Sequence, residues 1–110
     1  MKLHTSVLLL ALCVPAVAPA DEPIGFERAM KLVTKYNCQS CHSVDKTLAG
    51  PSFHDIAKRY ASDPHAQVEL GERIVNGTLG AWGPNVMPPT KVPDQDLKPL
   101  VEWILSLREY

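Results

Sequence analysis

The chain has 110 residues, 45% of them hydrophobic and 21% charged, with a formal net charge of −1. That length suits one domain. A near-neutral balance without a basic run excludes a nucleic-acid binder.

The first twenty residues, MKLHTSVLLLALCVPAVAPA, differ from the rest. A lysine opens them, an apolar run follows, and small residues close them. The stretch from Val7 to Ala20 is shorter than the ~20 residues that span a bilayer. A basic start, a short apolar centre and an A-x-A end describe a secretory signal peptide. Cutting after Ala18 would leave Pro19 at the new terminus, so the cut is placed after Ala20. Residues 1–20 are then the signal and 21–110 the exported domain, with no membrane span. Cys13 departs with the signal. It is a poor lipoprotein cysteine because Leu12 precedes it where a small residue is expected. The remaining 90 residues carry ten basic and twelve acidic side chains.

In the exported part, PIGFERAMKLVTKYN predicts a first helix. Phe26, Met30, Val33 and Tyr36 fall at helical spacing, and the helix ends near Asn37. Next, CHSVDKTLAGP lacks periodicity and is punctuated by Gly50-Pro51. Ser52 and Asp55 form a capping box that opens SFHDIAKRY. Asp63-Pro64 signals another start, followed by HAQVELGERIVN with Val68, Ile74 and Val75 as its apolar positions. Gly71 within it marks close packing or weakens the helix, and Gly77 caps its end. GTLGAWGPNVMPPTKVP, with three glycines and four prolines, predicts an irregular loop. Seventeen such residues are unusual in a compact domain and point to function. Asp94 or Asp96 caps the last helix, DLKPLVEWILSL, with Leu97, Leu100, Val101, Ile104 and Leu107 as its stripe. Pro99 fits only in the first turn. There is no alternating strand pattern, so the fold class is all-α.

The exported part has two cysteines, in YNCQSCHSVD. Four chemistries suit Cys38-x-x-Cys41-His42. Zinc needs two further ligands; His54 and His65 are available, but there is no second cysteine pair. A thioredoxin-like redox pair needs a βαβ setting, which the pattern does not offer. A disulfide fits an oxidising compartment but would close a very short loop and constrain the chain little. Covalent haem attachment uses both thiols on the two vinyl groups and brings His42 to the iron; C-x-x-C-H is its signature. Export agrees, because this attachment follows translocation. The group would also complete a core for a domain that buries only about 60% of its unfolded surface. Haem c is therefore the cofactor adopted, with iron its metal and His42 one axial ligand.

For the other axial position the candidates are Met30, Met87, His54 and His65. Met30 belongs to an apolar helix face, and both histidines suit solvated helix positions. Met87, in PNVMPP, has no helical stripe to join, and Pro84, Pro88 and Pro89 stiffen the backbone around it. A methionine–histidine pair raises the reduction potential relative to two histidines. It also fills both axial positions, which favours electron transfer over catalysis.

With CQSCHSVD, AGPSFHDIAKRY, ERIVNGTLGAWGPNVMPP and LVEWILSL in hand, the chain resembles the small, short-loop class I cytochromes c of bacteria, periplasmic carriers of respiratory and denitrifying chains. The resemblance implies four to five short helices wrapped around one haem. It makes His42 and Met87 the axial ligands and the Pro51 carbonyl the acceptor for His42 Nδ1–H. It places Arg73 and Trp82 on a haem propionate and Trp103 where the first and last helices cross. Three positions depart from it: Val33 stands near an expected phenylalanine, Thr90 stands where asparagine is common, and Pro99 is unexpected.

The expected function is thus a soluble periplasmic monomer that carries one electron and is not an enzyme. Its partners are a redox donor and acceptor that dock weakly at the haem edge, with Lys35, Lys46 and Lys91 as candidates for a basic rim. A haem protein with an open axial position, or a permanent subunit of a larger reductase or oxidase, would be the rivals.

Overall fold

The computed structural model describes residues 1–3, 10–17 and 22–109. The expected cleavage after Ala20, with Asp21 as the new terminus, lies outside the described residues. Residues 1–3 and 10–17 are exposed and form no element. Among the described residues no helix is long and apolar enough to cross a membrane.

Four α-helices build the body: α1 (Phe26–Lys35), α2 (Phe53–Arg59), α3 (Ala66–Asn76) and α4 (Asp94–Ser106). Helices α1, α2 and α3 all pack on α4. The core is assembled from Ala29, Leu32 and Val33 of α1, Phe53, Ile56 and Ala57 of α2, Leu70 of α3, and Leu100, Val101, Trp103 and Ile104 of α4. Trp103 is buried between the first two of these helices. Its ring meets Phe26 edge-on at 6.3 Å and Phe53 at 5.6 Å, so it has the expected packing role.

The helix faces differ from the expected ones in two places. Phe26 remains 61% exposed, and α1 turns Ala29, Leu32 and Val33 inward instead. On α3, Val68 is 64% exposed while Ala66, Leu70 and Gly71 are buried. Gly71 faces Leu97 of α4, where an added Cβ would make ordinary van der Waals contact at 3.5 Å.

Local signals set several boundaries. Asn37 takes a left-handed conformation with φ 58° just beyond α1, which stops the helix. The Ser52 side chain accepts from the Asp55 N–H at 3.0 Å and caps α2, an arrangement worth about 1 kcal/mol. Asp63 Oδ1 accepts from the His65 N–H at 2.8 Å, but α3 starts only at Ala66, after a single lead-in turn.

Two expectations about the C-terminal third need correction. The long loop contains a small antiparallel ribbon, β1 (Thr78–Leu79) and β2 (Val86–Met87), pairing Thr78 with Met87 and Leu79 with Val86. Two-residue strands are too short to leave an alternating pattern. The last helix begins at Asp94, directly after Pro93, and no side chain caps it. Pro99 is therefore its sixth residue and lies inside the helix, where its missing N–H leaves the Gln95 carbonyl without its helical donor.

Asp96 does other work. Its carboxylate accepts from Tyr36 Oη at 2.5 Å and Lys35 Nζ at 2.9 Å, pinning the end of α1 to the start of α4. These hydrogen bonds, Tyr36's the stronger, hold Asp96 below the usual carboxylate range. A depressed carboxylate contributes stability above its unfolded pKa and loses it as pH falls through the folded value. The thermal midpoint of the wild type should therefore exceed that of Asp96→Asn near neutrality, and the two should converge below about pH 4. Parallel curves down to low pH would refute the pin.

Candidate haem cleft

Cys38 begins a short 3₁₀ turn (Cys38–Ser40) that follows directly on the left-handed Asn37. The turn aligns the motif: the His42 N–H and the Cys41 N–H both donate to the Cys38 carbonyl, at 3.0 and 3.2 Å. The loop that follows closes on itself through the Gly50 N–H and the Cys41 carbonyl at 2.8 Å. These bonds place both thiols and the imidazole on one side of the turn.

His42 is buried, and its ring stacks on Phe53 with centroids 5.4 Å apart and 19° between planes. Its Nδ1 lies 2.7 Å from the Pro51 carbonyl oxygen. A carbonyl can only accept, so Nδ1 carries the proton and Nε2 presents the lone pair. Gly50 makes the arrangement possible. A Cβ at that position would come within 2.7 Å of His42 Cε1 and 3.0 Å of Nδ1.

The seven residues singled out in the sequence, Cys38, Cys41, His42, Pro51, Arg73, Trp82 and Met87, all line one cleft. It encloses about 1320 Å³ including its open mouth. Its deeper wall is apolar: Phe53, Ile56, Leu70, Ile74, Leu100 and Ile104. The wall and the donor set suit a large flat group with two thiol attachment points and an imidazole beneath it.

The other chemistries fare less well. Cys38 and Cys41 are free thiols. Burial pushes the Cys38 thiol above its ordinary value, whereas a redox-active pair needs a lowered one. Among the described residues no three His, Cys, Asp or Glu side chains converge as a metal site would require. His54 instead pairs with Asp45, Nδ1 to Oδ1 at 2.8 Å. His65 is exposed. Neither histidine lines the cleft, and neither does Met30.

Met87 reaches the cleft from β2. Gly77 holds that segment close: a Cβ there would fall 2.5 Å from the Met87 carbonyl and 2.9 Å from the Pro89 nitrogen. The Thr90 N–H donates to the Ile74 carbonyl at 2.9 Å and ties the far side of the segment to α3. The Thr90 hydroxyl faces the Pro88 carbonyl at 3.5 Å.

Arg73 pairs with Glu69 one turn earlier, through Nη2 at 2.7 Å and Nε at 3.1 Å, and this partner raises its already high pKa. Trp82 is 41% exposed at the rim. The guanidinium of Arg59 lies 4.4 Å above its ring, and Arg59 Nη1 donates to the Ala81 carbonyl at 2.9 Å. Sequence reasoning missed Arg59, and it read Gly50 only as punctuation beside Pro51 and Gly77 only as the cap of α3, a place Gly77 does hold; what these residues touch is set by tertiary contact.

Residues 26–108 match the sequence profile of the cytochrome c family. The chain belongs to the cytochrome c family. Cytochrome c-551 of Pseudomonas aeruginosa is 42% identical over 69 residues, covering 63% of this chain and 66% of that protein. Cytochrome c-552 of Nitrosomonas europaea is 42% identical over 78 residues, covering 70% and 76%. The crystal structure of wild-type Nitrosomonas europaea cytochrome c552 superimposes with a TM-score of 0.69 at 41% identity, over 72% of this chain and 99% of that one. The cytochrome is thus a small class I member and a haem c electron carrier. Cys38 and Cys41 are its covalent haem attachment points. Its fold is the expected all-α class, with the two-stranded ribbon added.

Proposed function

We propose that this cytochrome shuttles single electrons between redox proteins of the periplasm, with His42 Nε2 and Met87 sulfur as axial ligands, and transforms no substrate. The observation that carries the reading is the meeting of these two side chains in one apolar cleft, beside both attachment cysteines. When bound, the haem supplies reversible one-electron oxidation and reduction of its iron. The chain's part is to hold that chemistry steady. The Pro51 carbonyl fixes the His42 ring and strengthens it as a donor. Gly77 and Thr90 hold the Met87 segment from both sides. Arg73 and the Trp82 indole are offered to the propionates, with Glu69 already neutralising part of the Arg73 charge.

Export by a signal peptide over residues 1–20, releasing 21–110 as a monomer, completes the reading. Val86 and Trp82 are exposed on the cleft rim, 62% and 41%. A small apolar rim of this kind suits brief docking of a donor and an acceptor. Lys35 is engaged with Asp96, which leaves Lys46 and Lys91 as exposed cations of the candidate basic rim.

Spectroscopy of the purified protein tests the ligation. The oxidised form should show the near-infrared charge-transfer band of methionine–iron ligation, and the reduced form should not bind carbon monoxide at neutral pH. Ready carbon monoxide binding without that band would favour a haem protein with an open axial position.

A further inference from the structure

The segment that brings Met87 to the cleft is lightly held over residues 80–85. A Cβ added at Gly80 or Gly83 would meet nothing within 4 Å, and residues 82–86 are exposed. Among the described residues two side-chain hydrogen bonds tie this connection to the rest of the molecule. Arg59 donates to the Ala81 carbonyl from α2. At the other end, Asn85 Nδ2 donates to the Ala49 carbonyl at 2.8 Å.

The second tie is placed unlike the first. Ala49 precedes Gly50 and Pro51, which touch the His42 ring directly. Asn85 stands two residues before Met87. Both Ala49 and Asn85 line the cleft. Among the described residues no other hydrogen bond joins residues 38–51 to residues 77–90. The bond therefore bridges the two segments that carry the attachment motif and Met87.

We propose that Asn85 is a positioning residue, a latch across the mouth of the cleft that keeps the Met87 segment closed against the segment gripping His42. The inference rests on the reading of Met87 as an iron ligand. One exposed hydrogen bond adds little to global stability. A lightly packed segment, however, opens locally at a free energy far below that of global unfolding. There a single bond is a large share of what keeps it shut. The carrier needs this because a methionine thioether is a weak ligand, and each opening exposes the iron to competing ligands.

The test is cyanide binding to the oxidised, haem-loaded protein, since cyanide must wait for the Met87 segment to leave. Asn85→Ala should bind cyanide about two- to tenfold faster than wild type, the range one hydrogen bond commands. Asn85→Gln, which keeps the donor on a longer arm, should fall between them. The denaturation midpoint should move much less than the cyanide rate. An Asn85→Ala rate equal to wild type overturns the latch while leaving Met87 ligation intact, provided the wild type shows its near-infrared band. A wild type lacking that band overturns the ligation and the latch with it.

Discussion

Replacing Met87 with alanine should abolish the near-infrared band of the oxidised protein, lower the reduction potential and admit carbon monoxide to the reduced form. A thioether stabilises ferrous over ferric iron. Its loss should shift the potential by a sizeable part of the ~0.8 V that axial ligands command across haem proteins. The backbone at this position should persist, because Thr78 pairs with residue 87 through the main chain and Gly77 needs only the carbonyl beside it. Met87 is half-buried, so the cavity cost should be below the ~2–5 kcal/mol of a buried methionine. Haem attachment through Cys38 and Cys41 should therefore survive. An unchanged potential and band would show that another side chain holds the iron, although His54, His65 and Met30 all lie away from the cleft.

Gly77→Ala should be the most damaging single-methyl change in the protein. Gly77 sits at φ 76° and ψ 174°, a region essentially reserved for glycine, where another residue costs about 1–3 kcal/mol. The added methyl would also collide with the Met87 carbonyl at 2.5 Å and the Pro89 nitrogen at 2.9 Å. Those are backbone atoms of a proline-stiffened stretch and cannot turn aside as a flexible side chain would. Relief requires moving Met87. The variant should unfold at lower denaturant and lose its near-infrared band at a lower temperature than wild type. A thermal midpoint within a degree of wild type, with the band intact, would mean the Met87 segment yields freely, contrary to this packing. Asn37 offers a contrast: it also has positive φ, but asparagine tolerates that region.

The chemistry was more legible in the chain than its packing. C-x-x-C-H is readable because thiol spacing must match a rigid ring, so the constraint is local in sequence. Met87 stood out because prolines on both sides removed any helical explanation for it. Ser52 as a cap was readable for the same reason, since a cap spans three residues. Pro99 misled because a single proline was weighed against the helix start, while tertiary packing of α4 against three helices outweighed its local cost. Phe26 and Val68 were assigned inward from spacing alone. Which residues face inward depends on how the helices pack together, and spacing along one helix does not carry that. The ribbon is invisible because two-residue strands leave no pattern, and the Asn85 bridge because it joins residues that the sequence keeps well apart.

The cleft wall is also the core. Phe53, Ile56, Leu70, Leu100 and Ile104 belong to both. A prosthetic group seated on them is therefore part of the tertiary structure, and its binding energy adds to folding. Polypeptide that escapes loading should be poorly protected against proteolysis, which follows the open population. Synthesis of this carrier would then police itself, with destruction as the default and survival granted by the cofactor.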